Sequence, residues 1–120
     1  MRALFDTNIL IDYLNAVPQA RTELERYSDK AISIRTWMEV MVGPEPAVEA
    51  ATLNFLAEFD LIELDDSVAR RAVTLRQKHR LKLPDAIIWA SAEVNAMLLV
   101  TRNTRDFPAG DPGVRVPYQL

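Results

Sequence analysis

Short apolar runs alternate with amphipathic segments along the whole chain. The apolar runs have the length and composition of β-strands, and we predict strands at Arg2–Phe5, Ala31–Ile34, Leu61–Leu64, Met97–Val100 and Val114–Val116. Between them, apolar residues recur at helical spacing, which predicts helices at Asn8–Asn15, Pro18 to Tyr27, Trp37 to Gly43, Val48–Phe59 and from Asp66 or Ser67 to His79. Strands separated by helices predict an α/β fold, with a parallel sheet flanked by helices on both faces.

The segment after Lys82 is the most apolar helix of the chain. One stripe contains Leu83, Ile87, Ala90, Val94 and Met97, and further apolar residues widen it around the helix. A helix with this pattern is expected to pack on more than one side.

Composition limits the class of protein. The 120 residues are 49% hydrophobic and 26% charged, which predicts one globular domain spanning residues 1–120. No apolar run is long enough to span a bilayer and no signal peptide is evident, so we expect a cytoplasmic protein with no membrane partner. The net charge of −3 argues against nonspecific coating of nucleic acid.

The basic residues are unevenly distributed. No acidic residue occurs from Ser67 to Pro84, a stretch that contains Arg70, Arg71, Arg76, Lys78, Arg80 and Lys82. This Arg70–Lys82 stretch has two interpretations: a solvated helix face, or a local phosphate-binding patch on an otherwise acidic protein.

Four acidic residues follow predicted strands or begin a predicted helix: Asp6, Glu39, Asp85 and Asp106. In open α/β sheets, ligands bind beyond the carboxyl ends of the strands, so the topology places these residues at one edge. Carboxylates gathered in one place repel one another and require a cation. Their oxygen atoms are the ligands that Mg²⁺ and Mn²⁺ prefer, which predicts a divalent metal site.

Each acidic position also has an ordinary structural interpretation. Asp6 is followed by Thr7 and Asn8, and any of the three can cap a helix. Thr36 and Glu39 have the spacing of a capping box, Asp85 is a common first-turn acid, and Asn103 to Asp106 is typical turn chemistry. Taken together, however, the four positions favour a site.

Other catalytic chemistries are poorly supported. The chain has one histidine, His79, so paired imidazoles are excluded, and no credible Ser-His-Asp set is present. It has no cysteine and only three glycines, which disfavours zinc, thiol chemistry and a Gly-rich phosphate loop.

Four segments carry a resemblance to a known family: FDTNILIDYL, TWMEVMVG, LPDAIIWASA and LLVTRNTRDF. Together they resemble the PIN-domain family, in particular the VapC-type ribonuclease toxins of bacterial type II toxin–antitoxin pairs. The segments occur in the family's order, and the architecture they imply covers essentially the whole chain.

The resemblance implies a PIN-like three-layer fold with an acidic pocket at the strand ends. By similarity, Asp6, Glu39 and Asp85 match the acidic core: Asp6 and Asp85 would bind the metal directly, and Glu39 would bind it or orient a water. The fourth position is either Asp106, which we favour, or Asn103 with Asp106 behind it. The polar residues expected to support the pocket are Thr7, Asn8 and Thr101.

The implied activity is a Mg²⁺- or Mn²⁺-dependent endoribonuclease that cuts single-stranded or loop RNA with water, leaving a 5′-phosphate and a 3′-hydroxyl. Arg102 and Arg105 are candidates for contacting RNA phosphate. The implied partners are an inhibitory antitoxin whose tail covers the pocket, a second copy of the chain, and DNA bound by the antitoxin complex. A candidate interface, with core packing as the alternative, is formed by Trp37, Met38, Met41 and Val42.

Two alternative functions remain open from the sequence. One is a non-catalytic PIN-like module that binds nucleic acid or protein. The other is a receiver-like phosphoacceptor domain, which needs an acidic pair after the first strand and a lysine after a late strand. The chain has Thr7-Asn8 and Thr101-Arg102 at those places.

Overall fold

A computed structural model describes all residues, 1–120. The chain forms a five-stranded sheet in the order β3-β2-β1-β4-β5, and every neighbouring pair is parallel. The strands are β1 Arg2–Phe5, β2 Asp29–Ser33, β3 Asp60–Ile62, β4 Leu98–Val100 and β5 Val114–Arg115. The predicted α/β class with a parallel sheet is confirmed.

Six helices connect the strands and cover both faces of the sheet. They are α1 Thr7–Leu14, α2 Pro18–Glu25, α3 Ile34–Val42, α4 Pro46–Leu56, α5 Asp66–His79 and α6 Leu83–Val94. None is both long enough and apolar enough to cross a membrane.

The sheet separates two apolar cores, and β1 contributes to both. Leu4 belongs to a cluster of 15 buried residues that packs α5 and α6 against the sheet. Ala3 and Phe5 belong to a cluster of 12 buried residues on the opposite face, which packs α1 to α4. Successive side chains of a strand point to opposite faces, so an uninterrupted apolar strand is what a sheet covered on both sides requires.

Helix α6 is buried on several sides, as its apolar pattern predicts. Every residue from Ile88 to Ala92 is at most 2% exposed, and Trp89 makes an edge-on contact with Phe107. This packing fixes the first turn of α6, which carries Asp85, relative to the sheet.

The strand order reverses at β1. The chain moves from β1 to β2 and β3 on one side, then returns to β4 and β5 on the other. Phe5 is paired with Val100 in the register, and the Asp6 amide donates to the Val100 carbonyl at 2.9 Å. The residues that follow β1 and β4 therefore lie side by side at a topological switch point, where such sheets bind ligands.

Several predicted boundaries were wrong, and the start of α3 affects the site. This helix begins at Ile34, not Trp37, because the Ser33 hydroxyl caps it by accepting from the Arg35 amide at 3.0 Å. Thr36 is consequently inside the helix, and the predicted capping box of Thr36 and Glu39 does not form. Strand β2 is also shifted towards the N-terminus, and β3 ends two residues earlier than predicted.

Candidate active site

Asp6 is the buried carboxylate at the centre of the strand ends. It directly follows β1 and is the N-cap of α1, so Oδ1 accepts from the Thr7 amide at 2.7 Å. Oδ2 points the other way and accepts from the Thr101 hydroxyl at 2.7 Å and from Asn8 Nδ2 at 3.1 Å. The side chain is only 5% exposed. Capping of α1 thus occupies Oδ1 of Asp6. Thr101 and Asn8, which were predicted to support the pocket, orient Oδ2.

Thr101 and Asn8 extend this network from β4 to α1. The fully buried Thr101 hydroxyl accepts from the Asn103 amide at 3.0 Å while donating to Asp6. Asn8 Oδ1 accepts from the Arg102 amide at 3.1 Å. The loop after β4 is thereby fixed to the first turn of α1.

Glu39 reaches the same place from α3. Thr7 Oγ1 lies 2.9 Å from Glu39 Oε1 and 3.0 Å from Thr36 Oγ1, so its hydroxyl connects α1 to α3. Arg35 Nε lies 3.2 Å from the same Glu39 oxygen. The half-exposed Glu39 is therefore held next to Asp6 by Thr7, whose backbone amide is bound by the Asp6 side chain.

A cleft of about 330 Å³ brings the predicted residues together. Three of the four predicted acids line it, and its walls are formed by Asp6, Thr7, Asn8, Ile11, Arg35, Glu39, Asp85, Ile88, Arg102 and Asn103. The cleft therefore opens at the carboxyl edge of the sheet, as predicted.

Mutual repulsion and burial set the electrostatics of the cleft. Burial raises the pKa of Asp6 to about 6; hydrogen bonds from Thr101 and Thr7 oppose this rise, and the charges of Asp85 and Glu39 add to it. Burial also raises the pKa of Asp85, with further contributions from the charges of Asp106 and Glu39. Because burial and mutual repulsion disfavour the ionised carboxylates, the cleft favours binding of a cation.

The structure places Asn103 nearer the cleft than Asp106. Asn103 lines the cleft, and its Nδ2 donates to Asp106 Oδ2 at 2.9 Å. Asn103 Oδ1 accepts from the amides of Arg105 and Asp106, both at 3.2 Å, as in the predicted turn. Asp106 does not line the cleft, but its charge makes the largest charge contribution to the raised pKa of Asp85.

The two candidate RNA-contacting arginines differ in environment. Arg102 lines the cleft, but its guanidinium binds Asp12 with two hydrogen bonds, of 2.7 and 2.9 Å. The Tyr118 hydroxyl donates to the same carboxylate at 2.7 Å. Arg105 is exposed and does not line the cleft.

Sequence reasoning missed Asp12, Tyr118 and Arg35. Asp12 is four residues after Asn8 on α1, a spacing that puts both on one helix face and could have signalled a shared role. Tyr118 and Arg102 meet Asp12 from 106 and 90 residues away, for which the sequence gives no signal.

The Arg70–Lys82 stretch lies mainly on α5, and two of its arginines are paired. Arg70 binds Asp66 at 2.8 Å, and Arg71 binds Glu93 of α6 at 2.7 Å. His79 ends the helix, exposed, with its ring 4.9 Å from that of Trp89. These contacts agree with a solvated helix face.

The cleft suits a hard divalent cation by the chemistry of its donors. No group of three or more His, Cys, Asp or Glu side chains is close enough together to form a preassembled metal site. Mg²⁺ commonly uses only one or two carboxylates and completes its shell with waters and substrate phosphate. Asp6 and Asp85 supply such carboxylates, and no thiolate or imidazole lines the cleft.

A parallel sheet with an acidic cleft at its switch point is the architecture expected of a PIN-type fold. The family model described as PIN domain matches residues 3–111. The chain therefore belongs to the PIN-domain family, and the receiver-like alternative is set aside.

Within this family, the chain is similar to proteins named VapC. Ribonuclease VapC10 of Mycobacterium tuberculosis strain H37Rv is 31% identical over 113 residues, covering 88% of this chain and 85% of the relative. The same protein of strain CDC 1551 gives the same values.

Solved structures agree on the fold. A chain of a toxin–antitoxin complex from Klebsiella pneumoniae is 49% identical, with a TM-score of 0.93 over 98% of this chain and 99% of that chain. VapBC2 from Rickettsia felis, bound to a fragment of its promoter DNA, has a TM-score of 0.79 at 22% identity over 95% and 96% of the two chains.

Proposed function

We propose that the chain is a single PIN-like domain, residues 1–120, that acts as a divalent-metal-dependent endoribonuclease toxin. The observation that carries the proposal is the buried Asp6 carboxylate, facing Glu39 and Asp85 across a cleft at the switch point of the sheet. Membership of the PIN-domain family and similarity to a ribonuclease support the same conclusion.

Asp6 and Asp85 are the proposed protein ligands of Mg²⁺ or Mn²⁺, with Glu39 as a third ligand or the acceptor that orients water. Such a cation supplies charge that acidifies water and neutralises phosphate. The rest of the site positions these groups: Thr101 and Asn8 fix Oδ2 of Asp6, and Thr7 fixes Glu39. Asn103, backed by Asp106, is the proposed polar group at the fourth position.

Ionised Asp6 is essential to this mechanism. Its pKa of about 6 means that a substantial fraction is protonated in mildly acidic solution, and a proton competes with a cation for the same oxygens. The negative charges of Glu39 and Asp85 raise the pKa of Asp6, whereas the positive charge of a bound cation would lower it and favour ionised Asp6.

The proposed substrate is single-stranded or loop RNA. The cleft is open to solvent, and its acidic residues lie at the strand ends, where a splayed strand reaches them more readily than a duplex does. The attack of water, without the ribose 2′-hydroxyl, predicts products with a 5′-phosphate and a 3′-hydroxyl. We place this activity in the cytoplasm, where such RNA is present.

An inhibitory antitoxin is the proposed protein partner, in keeping with the Klebsiella pneumoniae complex. An apolar groove of about 440 Å³ runs between α1, α3 and α4, lined by Ile11, Leu14, Val40, Val48, Ala51 and other residues. Ile11 lines both this groove and the acidic cleft. An antitoxin segment in the groove would therefore reach the cleft and block it.

The predicted interface on α3 is only partly available to such a partner. Met38 and Val42 are 47% and 86% exposed, whereas Trp37 and Met41 pack against the core. We propose that exposed apolar residues such as Val42 contribute to a homodimer, and that the complex with antitoxin binds DNA.

The test of this function is cleavage of RNA by the antitoxin-free protein, with identification of the product ends. Asp6→Ala is expected to abolish cleavage while the protein stays folded by circular dichroism. Products with a 2′,3′-cyclic phosphate would contradict attack by water. RNA binding without turnover would instead favour the non-catalytic PIN-like module.

A further inference from the structure

Arg35 is a cation of the cleft to which no role has yet been given. It is the second residue of α3, and its position follows from the early start of this helix at Ile34. The side chain is 37% exposed and lines the cleft with Asp6, Glu39 and Asp85. A permanent positive charge among three carboxylates is available to an anionic ligand.

The guanidinium of Arg35 is only partly engaged by the protein. Its Nε lies 3.2 Å from Glu39 Oε1, close enough for an ion pair. Yet Nε is buried and has no hydrogen-bond partner, so the pair lacks hydrogen-bond geometry. An arginine presents five N–H donors in a planar fork, and a buried donor without a partner carries a free-energy cost.

The other arginine that lines the cleft is differently placed. Arg102 gives two hydrogen bonds to Asp12, and the Tyr118 hydroxyl holds the same carboxylate. Its charge is thus neutralised within the protein. Arg35 is the lining cation whose charge-assisted donors remain uncommitted.

We infer that Arg35 is a substrate-binding residue that holds an RNA phosphate next to the scissile bond; this inference rests on the proposed function. An RNA backbone that enters a cleft lined by three carboxylates meets repulsion, which a guanidinium beside Glu39 counteracts. The fork of an arginine also matches two phosphate oxygens, so it fixes the strand as well as attracting it.

A purely structural role for Arg35 makes a different prediction. If Arg35 only neutralises Glu39, its removal alters the position or ionisation of Glu39 but leaves the number of protein–phosphate contacts unchanged. The salt dependence of RNA binding counts those contacts, because each one releases counterions. This measurement separates the two roles.

The chain offers a matched control. Arg21 and Glu25 form an i,i+4 pair on α2 with Nε 3.1 Å from the carboxylate oxygen, against 3.2 Å for Arg35 and Glu39. Arg21 does not line the acidic cleft. Arg21→Gln therefore removes the same charge from an i,i+4 ion pair of similar length away from the site; that pair is more exposed and is also hydrogen-bonded.

The experiment measures binding of a short fluorescein-labelled single-stranded RNA over a range of salt concentrations. Asp6→Asn serves as the background that prevents cleavage, alone and combined with Arg35→Gln or Arg21→Gln. Arg35→Gln is expected to make the slope of log affinity against log salt less steep by about 0.7, which corresponds to the loss of one phosphate contact with a single strand. Arg21→Gln should leave the slope unchanged.

Cleavage gives a second readout in the otherwise unmodified protein. Arg35→Gln should lower kcat/KM by about 10- to 100-fold, and Arg35→Lys should recover part of the loss because the charge is retained. A slope for Arg35→Gln equal to that of Arg21→Gln would overturn the inference, even if cleavage falls. Absence of any RNA cleavage by the unmodified protein would instead count against the proposed function, and the salt slope would still test Arg35.

Discussion

The Thr101 hydroxyl donates a 2.7 Å hydrogen bond to Oδ2 of Asp6, joining the ends of β4 and β1. Both residues are buried, and the bond stabilises the ionised carboxylate against the cost of burial. This contact opposes the effect of burial and keeps the pKa of Asp6 near 6, low enough for a carboxylate proposed to bind a cation near neutral pH.

Thr101→Val removes that donor while preserving shape. We expect the pKa of Asp6 to rise. As the solution is acidified, Mg²⁺ affinity should therefore begin to fall at a higher pH than in the unmodified protein. Stability should fall by about 1–3 kcal/mol, as for an unsatisfied buried polar group. Thr52→Val is the control, because buried Thr52 donates only to the Val48 carbonyl, away from the cleft. An unchanged pH profile in Thr101→Val would contradict this role.

Asp6→Asn should make stability less sensitive to pH. The folded-state pKa of about 6 exceeds the ordinary 3.8, so between these values the folded state binds more protons than the unfolded state. The unmodified protein therefore loses stability as pH rises through this window. The hydrogen bonds from Thr101 and Thr7 favour ionised Asp6, and their effect is already included in the folded-state pKa of about 6. The stability of the variant relative to the unmodified protein should rise by about 2–3 kcal/mol between pH 3.5 and pH 7.

This prediction is measured by urea unfolding of metal-free protein at several pH values. A relative stability that stays constant across the window would show that Asp6 has an ordinary pKa. It would also mean that burial and the neighbouring carboxylates do not disfavour ionised Asp6 in the cleft.

Asp12→Asn should destabilise the loop that follows β4. Burial alone would raise the pKa of Asp12, but the hydrogen bonds from Arg102 and Tyr118 outweigh it and hold the pKa below its usual range. Asp12 therefore adds stability above its ordinary pKa, and this contribution is lost as pH falls. We expect a loss of about 2–3 kcal/mol at pH 7, since Arg102 is 30% exposed, and a smaller difference below about pH 4.

The control for Asp12 is Glu25→Gln, which breaks the exposed pair with Arg21. It should change stability by less than about 1 kcal/mol. Equal effects of the two variants in urea unfolding would mean that the Asp12–Arg102 pair has no special structural role.

Leu14→Asp tests the proposed antitoxin groove. Leu14 lines the groove but not the acidic cleft, and it is 44% exposed, so the fold should tolerate the change. RNA cleavage should persist, while inhibition by the proposed cognate antitoxin should weaken by about tenfold or more. Val73→Asp, at a 51% exposed site on α5, should leave inhibition intact. Full inhibition of Leu14→Asp would place the antitoxin elsewhere.

The sheet, its parallel strands and the acidic edge were predictable because short apolar runs and the helical spacing between them are local properties of sequence. The start of α3 was not, since Ser33 ends a strand and caps a helix with a single hydroxyl. That shift is what places Arg35 in the cleft. The environment of Arg102 also escaped prediction, because its partner Asp12 is 90 residues away and depends on the finished fold.

The order of Asn103 and Asp106 illustrates the same limit. Both residues follow β4, and their spacing predicts a turn. Which one lines the cleft depends on the Thr101 hydroxyl, which accepts from the Asn103 amide and directs the loop. Local pattern identified the group, but the Thr101 hydroxyl that directs the loop is itself bound to Asp6, 95 residues away along the chain.

The most direct test of the central claim is metal dependence of RNA cleavage by the purified, antitoxin-free protein. A pool of cellular RNA is incubated with the protein in Mg²⁺, in excess EDTA, and in EDTA followed by excess Mg²⁺ or Mn²⁺. We predict cleavage in Mg²⁺, none in EDTA, and recovery on adding either metal, with Asp6→Ala inactive throughout. Equal cleavage in the presence of EDTA would contradict the account.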